Sequence, residues 1–391
     1  MSTVNTAHQF FATCPRGLEA LLKDELIVLG AQALDPTDGG VGFAGDLSLC
    51  YRANLESRMA TRILWRVGKG PYASEEDIYK AAYVLPWHSW FDVGRDFMVK
   101  VTASKSPLKS LEFVTLRIKD AVCDQFRVAV GSRPYIDTKE PDVRVHAYLT
   151  DSIYELFLDT SGAALFQRGL RRASVEAPLR ENLAAGILKL SGWKPGVPLL
   201  DPMCGSGTFL LEAAMMALDI APGSGRSFGF EKLKNFDASA WQKIRQQALD
   251  RAKPVEFQKI YGSDADLRAV RVTRQNLQQA GLLDAVQLAK TDITHAVPPA
   301  SEGVLVANPP YGIRIGEDEE LAAFYPKMGE ALKRKFAGWN TYFLTNDMRL
   351  PKLMRLTPSK RTPLFNGPLE CRLFEIKMVA GSNRKEKIGH E

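Results

Sequence analysis

The chain has 391 residues and a formal net charge of +6, with 45% hydrophobic and 25% charged residues. That is ordinary globular composition with room for two or three domains, and no run of about 18 apolar residues is present to span a membrane. The five cysteines, Cys14, Cys50, Cys123, Cys204 and Cys371, form no C-x-x-C pair and no Cys/His cluster. This disfavours a zinc site or a disulfide framework and fits a reduced, cytoplasmic protein with no metal. Positive charge is concentrated. Residues 161–200 carry +4 and residues 333–361 carry +7, so the remainder is −5. Such clustering suits a polyanionic partner, although a solvated surface face would read the same way.

The first segment opens with a strand-like FFATC. A helix follows in GLEALLKDELIVLGA, with Leu18, Leu21, Leu22, Leu26 and Leu29 on one face and Gly30 as its stop. DGGVGF turns into a strand, and LSLCYRANLESRMATRILWRV reads as a helix running toward a strand. In the second segment, DFMVKVTAS alternates as a strand and residues 110–131 form a long amphipathic helix. VRVHAYLTDSIYELFLDTSG gives two strands about Thr150-Asp151-Ser152. From about residue 165, strands alternate with helices, the pattern of a doubly wound sheet. The strands are VPLLD, KIYGSD, AVQLAK, GVLVA and WNTYFLT, and a closing hairpin turns at Asn366-Gly367. The tail SNRKEKIGHE is expected to fray.

Four sites in this last region carry chemistry. Asp201-Pro202-Met203-Cys204-Gly205-Ser206-Gly207-Thr208 lies where the first strand feeds the first helix. Open α/β sheets bind ligands there, and a helix N-terminus offers N–H groups to a carboxylate. Asp201 would face a ligand amino group. With neither Gly-Lys-Ser/Thr nor a full G-x-G-x-x-G, the loop disfavours ATP and NAD. Asp264 and Asp266 end the second strand. A carboxylate there either accepts ribose hydroxyls or caps a helix, and we assign the ribose to Asp264 and the cap to Asp266. The long gap between Gly207 and Asp264 requires an insertion at about 221–258, carrying Pro222, Gly223, Arg226 and Trp241. Asp292, after the third strand, would contact an adenine amino group or serve as a loop cap.

Asn308-Pro309-Pro310-Tyr311 is the most specific of the four. The prolines end the ladder and stiffen the turn. The Asn308 side-chain carbonyl and the Pro309 backbone carbonyl can accept from one exocyclic amino group, drawing it from planar geometry and freeing its lone pair for an in-line displacement. Tyr311 offers a face to a flipped-out base.

DPMCGSGT with NPPY resembles the Rossmann-like methyltransferases that act on exocyclic amines. Beyond those motifs, PRGLEALLKDEL, FMVKVTASKS, FVTLRIKDAVCDQFR and LFQRGLRRASVEAPLRENLAAGIL are similar to the ferredoxin-like plus THUMP front end of RlmL-type 23S rRNA guanine-N2 methyltransferases. The resemblance implies an α/β fold, a doubly wound mixed seven-stranded sheet preceded by α+β ferredoxin-like and THUMP domains. Their spans would be 1–65, 66–162 and 163–383. It implies S-adenosylmethionine as cofactor and S-adenosylhomocysteine as product, held by Asp201, Met203, Cys204, Gly205, Ser206, Gly207, Thr208, Asp264 and Asp292, with Pro178, Leu179 and Asn308 lining the pocket. Asn308, Pro309, Pro310 and Tyr311 would hold the base. Lys105, Lys109, Arg117 and Lys119 of the THUMP unit would grip RNA, joined by Arg171 and Arg172. The implied partner is 23S rRNA or a large-subunit assembly particle. Some relatives carry a fused module making 7-methylguanine. These 391 residues leave no room for it, and that activity is not expected here. Rival readings are a tRNA guanine-N2 methyltransferase with the same site, an adenine-N6 methyltransferase, and a non-enzymatic assembly factor.

Overall fold

In a computed structural model, residues 7–169, 179–309 and 317–379 are described. The chain forms two compact units. One comprises residues up to 14, 19–168 and 221–250, and the other residues 15–18, 169–220 and 251 onward.

The first unit is built on β1 (His8–Thr13), α1 (Glu19–Leu29), β2 (Gln32–Thr37), β3 (Gly40–Gly45), α2 (Leu47–Glu56) and β4 (Arg62–Pro71). It continues through α3 (Glu75–Tyr83), α4 (Trp87–Trp90), β5 (Phe97–Ala103), α5 (Leu111–Val130), β6 (Val143–Leu149) and β7 (Ile153–Asp159). Its seven strands form one sheet in the order β2-β3-β1-β4-β7-β6-β5. The expected boundary at 65/66 therefore falls inside β4, which pairs with β1 on one side and β7 on the other. Every pairing is antiparallel except β5 with β6. Local sequence explains most elements. Ser74 and Asp77 form a reciprocal capping box that starts α3. Ser110 caps α5, which ends on Gly131 in the left-handed conformation.

The second unit contains α6 (Glu181–Leu190), β8 (Leu199–Asp201) and α7 (Thr208–Ala217). After α8 (Ala238–Arg251) come β9 (Ile260–Asp264), α9 (Leu267–Gln279), β10 (Val286–Lys290) and β11 (Gly303–Ala307). α10 (Glu317–Lys335), β12 (Trp339–Thr345), α11 (Leu350–Leu353), β13 (Lys360–Asn366) and β14 (Leu369–Lys377) complete it. The strand order is β10-β9-β8-β11-β12-β14-β13. The first five strands are parallel, and β14 and β13 add as an antiparallel hairpin. This is the doubly wound mixed seven-stranded sheet that the alternation predicts. One face packs Leu200, Leu305, Phe343 and Phe374 against Tyr325, Met328 and Leu332 of α10 and Leu350 of α11. Gly262 is in register with Asp201, one residue past Leu200, and so lies on the opposite face. There Leu210 of α7 approaches so closely that a Cβ on Gly262 would come within 2.3 Å of it.

The insertion folds with the first unit, although it lies within the span 163–383 expected for the methyltransferase domain. Trp241 packs edge-on against Tyr51, Phe228 and Phe230. The Tyr51 hydroxyl accepts from the Asp237 amide at 3.0 Å. Arg226 donates to the carbonyls of Ser161 (3.1 Å), Ala163 (2.6 Å), Ala164 (2.6 Å) and Gln167 (3.2 Å). A planar five-donor guanidinium can clasp a loop in this way.

Candidate active site

The strand order of the second unit reverses between β8 and β11. From β8 the chain runs outward to β9 and β10, then returns to place β11 on the other side of β8. Loops leaving β8 and β11 at their carboxyl ends diverge there and leave a crevice, the usual ligand position in open α/β sheets. Asp201 ends β8 and Asn308 directly follows β11, so topology brings these two motifs to the same switch point.

The glycine-rich turn is tightly braced. Gly205 and Gly207 have φ of 54° and 83°, in the left-handed region that favours glycine. A Cβ on Gly207 would meet Thr273 Cγ2 at 2.8 Å. Thr273 of α9 donates its hydroxyl to the Gly205 carbonyl at 2.8 Å, and Asn276 donates to the Ser206 carbonyl at 3.0 Å. The Cys204 amide donates to the Ser263 carbonyl at 2.9 Å. Gly207 is the N-cap of α7 and makes no side-chain cap bond. Ser206 and Thr208 are buried within this turn and Met203 is half-buried beside it.

Two carboxylates flank the turn. Asp201 is buried, and its Oδ1 accepts from the Met203 amide at 3.1 Å. Burial pushes its carboxyl well above the usual carboxylate range, and the nearby charge of Asp264 adds to the rise. Asp264 accepts from the Gly205 amide through Oδ2 at 3.0 Å and from the Asp266 amide through Oδ1 at 2.9 Å. It too is raised, first by burial. Each of its oxygens retains a second lone pair for a hydroxyl donor. Asp266 is the N-cap of α9, accepting from the Arg268 amide. Burial also holds the Cys204 thiol far above its ordinary value, which disfavours the thiolate.

Asp292 shows the loop-cap geometry. Its Oδ1 accepts from the Thr294 amide (2.7 Å) and hydroxyl (2.6 Å), and its carbonyl accepts from His295 and Ala296. Asn308 differs. Its Oδ1 is buried and has no hydrogen-bond partner among the described residues. Ser263 Oγ, one residue before Asp264, is in the same condition. A buried acceptor without a partner is costly, and such a group calls for a ligand or an ordered water to complete its bonding. Pro309 is buried and Leu179 is buried just before α6. Pro178, Pro310, Tyr311, Arg171 and Arg172 lie outside the described residues, as does the tail beyond 379.

In the first unit, Lys105 and Lys109 are exposed on the loop after β5. Arg117 is committed to Glu76 and stacks 4.1 Å above the Tyr79 ring, while Lys119 pairs with Asp120 at 3.0 Å. Among the described residues, no group of three or more His, Cys, Asp or Glu side chains comes together as a metal site would require. No described helix is long and apolar enough to cross a membrane.

Comparison with known proteins agrees with this architecture. A family model described as the RMKL-like methyltransferase domain matches residues 168–375. The chain belongs to the RMKL-like methyltransferase family. The RlmL ferredoxin-like domain matches residues 9–64 and the THUMP domain residues 72–159 of this RMKL-like chain. The chain is 39% identical over 383 residues to the ribosomal RNA large subunit methyltransferase K/L of Shewanella sp. strain MR-4, covering 96% of this chain and 54% of that protein. It thus spans about half the length of the curated K/L relatives it matches. A putative RNA methyltransferase of Synechocystis sp. is 37% identical, with 95% of this chain and 97% of that one covered. Among solved structures, a putative methyltransferase complexed with S-adenosylhomocysteine has a TM-score of 0.86 at 31% identity, covering 97% of this chain and 99% of the other. The RMKL-like family is one of S-adenosylmethionine-dependent methyltransferases.

Proposed function

We propose that this RMKL-like chain transfers a methyl group from S-adenosylmethionine to the exocyclic N2 of a guanine in 23S rRNA, in the cytoplasm. The observation that carries the reading is the buried, unpartnered Oδ1 of Asn308 at the switch point, beside the braced glycine turn. An acceptor held ready there suits a planar amino donor. When bound, S-adenosylmethionine supplies an electrophilic methyl on a sulfonium. The chain's own residues do the rest. The turn 203–208 gives backbone N–H groups to a carboxylate at the N-terminus of α7. Asp264 accepts ribose hydroxyls while its two backbone bonds fix its orientation. Asp201 accepts from an amino group, and the positive charge of that donor favours its ionised form. Asn308 and the Pro309 carbonyl accept the two N–H groups of the base and hold the nitrogen lone pair in line. Pro310 and Tyr311, with the ring as a stacking face, take the remaining base contacts, as read from the motif. Asp292 serves the adenine end while remaining the cap of its own loop.

The ribosomal substrate is supported by the K/L relatives and by the THUMP match. We propose the domain spans 1–65, 66–162 and 163–383 as a division by function, with the RNA grip in the second. The test is methyl transfer from labelled S-adenosylmethionine to protein-free 23S rRNA and, separately, to tRNA, followed by nucleoside analysis. N2-methylguanosine in 23S rRNA alone is the expected result. Label in tRNA would overturn the substrate, and N6-methyladenosine would overturn the base. No label in either RNA, but label in a large-subunit precursor particle, would make the particle the substrate.

A further inference from the structure

The sheet of the first unit has two unlike faces. Cross-strand register places Phe10, Phe43, Trp65, Leu158, Val145 and Val99 on one of them. Helices cover that face. Trp65 meets Trp90 of α4 edge-on, and Phe97 reaches Phe126 of α5 through Phe91. The residues between them in sequence point the other way. There Lys100 is opposite His146, Thr102 opposite Tyr148, Met98 opposite Arg144, and Glu155 opposite both Tyr148 and Lys69. Lys69, Lys100, Thr102 and Tyr148 are exposed, Tyr148 by 38%.

Charge on this outer half is one-sided. Glu155 takes both Arg66 and Lys69 at 3.0 Å. Lys100 and Arg144 have no carboxylate partner among the described residues. Five cations, Arg62, Arg66, Lys69, Lys100 and Arg144, thus share this face with two carboxylates, Glu155 and the buried Asp159, and one exposed ring; Asp159 is taken by Arg62 and lies 3.5 Å from His146. The cores of protein–protein interfaces are depleted of charge, whereas single-stranded nucleic acid takes cations for its phosphates and aromatic faces for its bases. Side chains two residues apart on a strand are ~7 Å apart, close to the reach of one nucleotide.

Resting on the reading of the substrate as RNA, we propose that the exposed patch of this sheet face around Tyr148 and Lys100 docks a single-stranded RNA segment. Tyr148 stacks on one base, and Lys100 and Arg144 neutralise neighbouring phosphates. The grip thereby shifts from Arg117 and Lys119, already committed to Glu76 and Asp120, to the far side of the sheet.

The experiment uses the full chain with protein-free 23S rRNA as probe and reads equilibrium binding across a salt series. Tyr148→Ala should weaken binding about 5- to 150-fold, the worth of one base–aromatic stack, and Tyr148→Phe should restore it. Lys100→Ala with Arg144→Ala should lower the slope of log affinity against log salt by about 1.4, at ~0.7 per phosphate on a single strand. S-adenosylhomocysteine binding, measured by calorimetry, should stay unchanged in every variant and verifies that they fold. Wild-type affinity and slope in the triple variant would overturn the proposal. So would loss of binding to ribosomal precursor particles alone, which would make the occupant a protein. If wild-type protein methylates neither RNA yet the sheet variants still weaken RNA binding, the catalytic reading fails and the docking face stands.

Discussion

Both units are organised by a seven-stranded sheet, yet they expose different parts of it. In the first, which is nearly all antiparallel, only β2–β3 and β6–β7 are joined by short turns; the other connections carry helices, and α4 and α5 pack on one face of the sheet. In the second, parallel strands need helical crossovers, and Gly262 with Leu210 on one face and Leu305 with Met328 on the other show both faces filled. A doubly covered sheet has only its strand ends left for chemistry, so its site is a crevice of loops. The second face of the first sheet is open in part: Leu64, Phe157 and Asp159 are buried there, while Lys69, Lys100, Thr102 and Tyr148 are exposed and form a patch suited to holding a chain rather than reacting with it.

The largest expected effect tests whether chemistry resides solely at the strand ends. Asn308→Ala should lower kcat by about 10²–10³, comparable to losing one polar group aimed at the reacting atoms. RNA affinity should stay within about twofold in equilibrium binding. Because Oδ1 has no partner, the melting temperature without cofactor should not fall. Turnover preserved with RNA binding lost would reverse the division between the units.

Next comes the tension between binding and stability at Asp201. Its carboxyl is raised in the folded state, chiefly by burial. The unfolded chain therefore releases its proton at lower pH than the fold does. Stability from this group is full below the ordinary carboxylate range and is lost as pH rises from there through the raised folded value. Asp201→Asn keeps an acceptor for the Met203 amide but removes the charge. We expect the cofactor-free protein to melt higher near neutral pH, with a weaker fall in melting temperature between acid and neutral pH. S-adenosylhomocysteine should bind about 10- to 150-fold more weakly, the worth of a charged hydrogen bond. Calorimetry and a pH series of thermal melts read both.

The smallest effect sharpens the comparison from the other side. Arg226→Ala leaves the carbonyls of residues 161–167 without their shared donor and should cost the first unit about 2 kcal/mol. Amide exchange should quicken in Thr160–Arg168, while amides of Ile260–Asp264 keep their protection.

Most elements were legible because their signals are local. The glycine turn, the Asn-Pro-Pro-Tyr motif, the 110–131 helix and the Asn366-Gly367 hairpin all announce themselves within a few residues. The Ser74–Asp77 box is likewise a local helix-start signal. β2 was not legible, since Gln32–Thr37 is almost wholly exposed and carries Asp35 and Pro36, so no alternation marks it. Nor was the continuity of the first sheet. It depends on β4 pairing with β7 nearly ninety residues later, across a register shift between Arg66 and Gly68. The site motifs could be read, but their meeting could not. That Asp201 sits close enough to feel the charge of Asp264, and that Asn308 lacks a partner, follow from strand order. The insertion was visible as a gap, while its attachment to the first unit depends on Trp241 and Arg226 reaching residues far away in sequence. Tyr148 went unremarked as a binding residue because alternation marks it only as outward-facing.

The five cysteines give this two-sheet design an unplanned gauge. All are free and buried, with Cys14, Cys50 and Cys123 in the first unit and Cys204 and Cys371 in the second. Burial raises each thiol, so little thiolate exists for a reagent to attack in the native protein. Modification must wait until the surrounding structure opens. The order in which the cysteines are labelled thus reports which unit lets go first, so the native chain carries a record of its own unravelling.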